Sequence, residues 1–117
     1  MKPPHDAVAT AYGQFLDLGA AMAAAGHYEA AYHALMAALH CAKDAGDAGR
    51  LGEVADRLRQ YGRDVDAIDP PHKLSGERSR SGTGLFEIGA MHADAAAKLA
   101  RVKRAAARGV ASPLPAG

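Results

Sequence analysis

Alanine governs what this chain can fold into: 29 of its 117 residues are Ala, about half of an apolar content of 49%. Ala has the best intrinsic helix propensity and only a methyl group to bury. Helices therefore form easily and approach closely, but each contributes little apolar surface. Leu, Ile, Val and Phe together number 19, fewer than a well-filled globule carries. Strand formers of the β-branched and aromatic kinds are scarce. The composition predicts an all-α chain with closely spaced helices and a thin core. Its length suits one compact domain, and its net charge of +1 argues against disorder throughout.

That small net charge conceals a division. Residues 1–69 carry 6 basic and 10 acidic side chains, whereas residues 70–117 carry 8 basic and 3 acidic. An acidic front half is joined to a basic back half. The single cysteine, Cys41, excludes an internal disulfide framework and suits a reducing compartment. With no apolar leader after Met1 and no run long enough to span a bilayer, the expected location is the cytoplasm.

Breakers and apolar spacing divide the chain. Pro3 and Pro4 close a leader over 1–6, and Asp6 is placed to cap the first helix. Val8, Tyr12, Phe15, Leu18 and Met22, with Ala11 and Leu16 beside them, recur three and four apart to about Ala25. Gly26 ends that helix. A second helix from about Tyr28 to Lys43 carries Tyr28, Tyr32, Leu35 and Leu39. After the turn Asp44-Ala45-Gly46, Asp47 is a plausible N-cap for a third helix bearing Leu51, Val54, Leu58, Tyr61, Val65 and Ile68. Asp69-Pro70-Pro71 stops it. The Gly, Ser and Pro of residues 70–84 read as a flexible linker. From Leu85 to Arg108 a fourth helix places Leu85, Ile88, His92, Ala95, Leu99 and Val102 in heptad-like spacing. Residues 109–117 read as a disordered tail.

Within residues 7–69, Phe15-x-x-Leu18-Gly19-x-x-Met22, then Gly26-His27-Tyr28, then Ala31, Leu35 and Ala38, resembles one tetratricopeptide repeat. A degraded second copy follows 36 residues on: Leu51, Val54-Ala55, Leu58, Gly62 and Ala67 keep the order and spacing. The resemblance covers roughly residues 12–69 and implies a helical hairpin in which Gly19 and Ala31 allow close approach. It also implies a concave binding face on the first helix. In family members that grip a peptide's terminal carboxylate, that face is charged. Here it would be Gly13, Leu16, Ala20, Ala23 and Ala24, an apolar groove suited to an amphipathic helix. Such repeats need about three copies to bury a continuous core, so something must cover the exposed end. The fourth helix, through Leu85, Ile88, His92, Leu99 and Val102, is the candidate, from the same chain or from a second copy.

Chemistry is harder to find. His33 and His40 share a face but stand about 10 Å apart along the axis, too far to share an ion. His40 and Asp44 could supply two ligands, and convergence with His33 and His92 would make a small metal protein; no HExxH or CxxC pattern backs this. Solvated or helix-lining histidines are the simpler reading. His92 is either a half-buried interface residue or a pH switch. Cys41 has no basic neighbour placed to activate it. Gly76, Gly82 and Gly84 with Arg78 and Arg80 lack the Gly-Lys-Ser/Thr ending of a phosphate loop. The cluster Lys98, Arg101, Lys103, Arg104 and Arg108 could meet nucleic acid, but no aromatics for base stacking accompany it, and Asp44, Asp47, Glu53, Asp56, Asp64 and Asp66 offer an internal partner for its charge.

The expectation is thus an antiparallel, tetratricopeptide-like bundle of three helices with a linker and a C-terminal amphipathic helix. It would act without catalysis, cofactor or metal as a protein-protein interaction module or small adaptor, binding a protein partner or a second copy of itself. A nucleic-acid-associated regulator is the alternative.

Overall fold

In the computed structural model, residues 4–68 and 84–109 are described, and every element among them is helical. The order is α1 (Pro4–Ala24), α2 (Tyr28–Asp44), α3 (Ala48–Asp66) and α4 (Leu85–Ala107). The linker expected over 70–84 and the tail expected over 109–117 lie outside the described residues, apart from Gly84 and Gly109. α1 begins at Pro4 and not after a leader ending at Asp6. Proline is at home in a first turn, where its missing N–H would have had no intrahelical partner and its φ is already helical.

Two near-identical turns make the first three helices antiparallel neighbours. After α1, Gly26 takes φ +82°, its N–H donates to the Ala23 carbonyl at 3.0 Å, and the His27 N–H donates to Met22 at 2.8 Å. After α2, Gly46 takes φ +64°, with Gly46 N–H on Lys43 and Asp47 N–H on Ala42, both at 3.0 Å. This glycine-centred closure satisfies carbonyls that a helix end leaves open. At the second turn the chain restarts at once: the Asp47 carboxylate accepts the Arg50 N–H at 3.0 Å. Asp47 is the N-cap that the sequence suggested.

The packing forms two hairpins. α1 lies along α2, α3 lies along α4, and α2 joins the pairs by packing on α3 and, less extensively, on α4. Leu35, Leu39, Leu51, Val54, Leu58, Val65 and Phe86 are the large side chains fully buried between them. Around them stand Ala31, Ala38, Ala42, Ala55, Ala90, Ala93 and Ala97, also buried. The core is alanine-rich, as the composition required. The fourth helix is therefore a full member of the bundle. It completes a hairpin with α3 instead of being an appendage to three helices.

Alanine-lined helices must lie close, and two glycines set how close. A Cβ on Gly62 would stand 3.0 Å from the Cβ of Phe86. A Cβ on Gly89 would meet Tyr32 at 3.2 Å, Met36 at 3.3 Å and Leu58 at 3.4 Å. By contrast, a Cβ on Gly19 would rest at ordinary contact, 3.5 Å from Leu35 and 3.6 Å from the Ala31 carbonyl. The expectation that Gly19 is needed for close approach is corrected. The tight crossing is between α3 and α4.

A direct comparison follows. Gly62→Ala should lower unfolding stability by about 1–2 kcal/mol, because overpacking against a Cβ outweighs the gain in helix propensity. Gly19→Ala should leave stability unchanged or raise it by up to ~1 kcal/mol. Urea unfolding followed by circular dichroism measures both, and equal losses at the two sites would contradict the assignment.

Candidate partner-binding surface

α4 carries two apolar faces, and the core takes the smaller one. Phe86, Gly89, Ala90, Ala93 and Ala97 are buried, with Ala96 and Ala100 packed beside them. The face expected to dock lies on the far side, roughly 140° round the helix at about 100° per residue. There Ile88 is 50% exposed, Met91 56%, Leu99 51% and Val102 43%. Leu85 is half-buried and His92 exposed. The reading of Ile88, His92, Leu99 and Val102 as residues that fill a groove in this chain is corrected. The reason is space: a Cβ on Gly89 would already meet Tyr32 and Met36 of α2 and Leu58 of α3 at 3.2–3.4 Å, so after Phe86 the buried face of α4 takes only Gly and Ala.

The groove assigned to α1 is also revised. Leu16 is buried in the main core, Ala23 is half-buried, and only Ala20 and Ala24 are exposed. α4 packs on α3 and α2, while α1 pairs with α2; the alanine surface of α1 is not where α4 sits. Of the helix-packing positions, Gly19, Ala31, Leu35 and Ala38 are buried, and Phe15, Met22 and Tyr28 are partly so. Gly26 forms the turn. Leu18 departs from the pattern at 48% exposed, because it lies a quarter-turn off the arc Tyr12–Leu16–Gly19.

Sequence reasoning missed the polar link that pins α1 to α3. The Tyr12 ring is buried, and its hydroxyl donates to the Glu53 carboxylate, with the Arg50 carbonyl oxygen at 3.1 Å. The Arg50 guanidinium stands 5.0 Å above the ring centre, a cation–π distance. Burial first, then the Glu53 hydrogen bond and charge, push the phenol well above its ordinary value of 10. Nothing local in the sequence signals a contact spanning some forty residues.

Ion pairs brace α4 on its other flank. The Arg59 guanidinium reaches Asp94 at 2.7 Å and Glu87 at 3.3 Å. All three side chains are substantially exposed, so the bridge contributes under about 1 kcal/mol and weakens with salt. At the far end, Arg104 donates to the Gly46 carbonyl at 3.2 Å. It tethers the last turn of α4 to the α2–α3 turn.

Beside that tether an open cavity of about 370 Å³ lies between α4, the end of α2 and the start of α3. Leu51, Ala96, Leu99, Ala100 and Ala107 line it as an apolar floor, and Lys43, Lys103 and Arg104 stand at its edge. Of the exposed stripe, only Leu99 takes part.

The residues considered for chemistry form no cluster of three among the described residues. His33, His40 and Asp44 lie exposed on α2 and His92 on α4. Among the described residues no group of three or more His, Cys, Asp or Glu side chains could hold a metal ion. Burial, and then Asp44, push the Cys41 thiol up from its ordinary value, which disfavours the reactive thiolate. Lys98, Arg101, Lys103, Arg104 and Arg108 are all exposed. No described helix is long and apolar enough to cross a membrane. Compared with known family models, curated proteins and solved structures, the chain matches none.

Tyr12 gives a test of the α1–α3 link. Since folding raises its pKa, its contribution is complete below about pH 10 and falls as the pH rises through the unfolded-state value. Tyr12→Phe should lose about 1–2 kcal/mol at neutral pH and flatten the alkaline fall in stability expected above pH 10. Unfolding curves from pH 7 to 11 measure this; an unchanged alkaline slope would exclude the role given to Tyr12.

Proposed function

We propose that this protein is a non-catalytic helical interaction module whose outer α4 face receives a partner helix. One observation carries the reading: Ile88, Met91, Leu99 and Val102 form an exposed apolar stripe along a helix whose other side is fully packed. In heptad terms the stripe runs Leu85, Ile88, His92, Ala95, Leu99, Val102, three to four residues apart throughout. That is the seam of a helix pair. A contiguous apolar strip of this kind, left in water, promotes association.

The occupant best matched on charge is the α4 of a second copy, lying antiparallel. Residues 85–94 contain Glu87 and Asp94 and no Lys or Arg, whereas residues 95–108 contain Lys98, Arg101, Lys103, Arg104 and Arg108 and no carboxylate. Antiparallel pairing sets each acidic end over the other copy's basic end, and parallel pairing sets like charges together. The α1–α2 hairpin supports the tetratricopeptide resemblance of the first copy, whereas in the second copy Gly62, matched to the turn residue Gly26, lies inside the continuous helix α3, so that register is corrected. α1–α2 would be the first repeat and α3–α4 the second, with residues 67–84 inserted where the family has a short turn. On that reading the stripe is the end surface that a third repeat would otherwise cover. Lone Cys41 and the lack of a spanning helix among the described residues are compatible with a cytoplasmic setting.

Sedimentation equilibrium tests the pairing. The full chain should dimerise at micromolar to tens-of-micromolar concentration, and Ile88→Glu/Leu99→Glu should abolish dimerisation with the circular dichroism spectrum unchanged, since both side chains are half-exposed in the single chain. A chain that is monomeric at several hundred micromolar, or a variant that dimerises as well as the parent, would exclude α4 self-pairing.

A further inference from the structure

The cavity at the end of α4 has a composition that the stripe does not explain. Its floor is apolar: Leu51 belongs to the core, Ala96 and Ala100 are half-buried, and Leu99 forms one wall. Three cations, Lys43, Lys103 and Arg104, stand at its edge, and among the described residues no carboxylate lines it. Cations in the last turns of α2 and α4 are favourable against the helix dipoles on their own account. The dipoles do not account for an unfilled apolar recess beneath them.

The neighbouring carboxylate on the α3 side is committed elsewhere. Asp47 accepts the Arg50 N–H and pairs with its guanidinium at 3.5 Å. The bond of Arg104 to the Gly46 carbonyl orients its guanidinium at the mouth, and the planar fork has further N–H donors to offer. An anchored arginine loses less freedom on binding a carboxylate than a loose one. At about 370 Å³ the recess falls within the ~300–1,000 Å³ range of small-molecule sites.

We propose that this recess binds a medium-chain aliphatic carboxylate. The chain would lie on Leu51, Ala96, Leu99 and Ala100, and the headgroup would meet Arg104 with Lys43 and Lys103 beside it. The apolar floor requires a hydrocarbon portion, and the cationic edge selects an anion over an alcohol or an amine. The site stands on residues other than those of the α4 seam, Leu99 excepted, so it does not rest on self-pairing.

Decanoate, kept below its micellar concentration, is the probe, titrated into the isotopically labelled full chain and followed by amide chemical shifts. Saturable shifts centred on Gly46, Leu51, Ala96 and Ala100 are expected, with decanol bound roughly tenfold more weakly and decyltrimethylammonium not bound. Lys43→Gln/Lys103→Gln removes two charges without touching the Arg104–Gly46 bond and should weaken decanoate binding by roughly tenfold. Ala100→Leu, which fills the floor, should weaken decanoate and decanol alike. Decanoate shifts confined to Ile88 and Met91, equal binding of the cationic amphiphile, or an unchanged affinity in the double variant would each overturn the proposal.

Discussion

The close crossing of α3 and α4 at Gly62 and Phe86 decides most of what this molecule presents to its surroundings. A Cβ on Gly62 would stand only 3.0 Å from that of Phe86, so the two backbones are nearly as near as side chains allow. Beyond Phe86, which fills the space beside Gly62, α4 offers its neighbours only Gly89, Ala90, Ala93 and Ala97. Its other large apolar residues are displaced to the outside. A small-residue core and an exposed large-residue stripe are thus one fact seen from two sides of the same helix.

The same constraint explains the rest of the architecture. Helices that bury methyl groups gain little each, and the chain compensates with closure at its ends. Gly26 and Gly46 complete the helix termini, Asp47 restarts the chain, Tyr12 ties α1 to α3, and Arg59 and Arg104 clasp α4 at both ends. Each of these is a polar or conformational device set where apolar area is short. The contacts between the two halves are not the expected docking of the basic cluster on the acidic residues: Arg59 of the front half binds Glu87 and Asp94 of the back half, and Arg104 bonds the Gly46 backbone carbonyl.

Helix count, helix limits and turn chemistry were legible in the sequence because they depend on local rules. Gly26 and Asp47 do what glycine and aspartate do at helix ends, and the first three helices fall close to where apolar spacing put them. The buried face of α4 was not legible. Spacing reveals that a helix has an apolar stripe, and on α4 there are two, one of Leu, Ile and Val and one in which Phe86 is followed only by Ala and Gly. Hydrophobicity favours burying the first. Only the interhelical distance, a tertiary quantity, chooses the second. Tyr12–Glu53 was hidden for the same reason, as was the cavity at Arg104, whose wall residues come from three helices.

The central claim is that α4 is packed by its small face and holds its large face open for another helix. Thiol labelling reads both faces in one experiment, using full-length chains with Cys41→Ala and either Ile88→Cys or Ala93→Cys. The account predicts fast labelling of Ile88→Cys in dilute solution, slowing as concentration rises, and slow labelling of Ala93→Cys at every concentration. Rapid labelling of Ala93→Cys with protection of Ile88→Cys in dilute solution would contradict it.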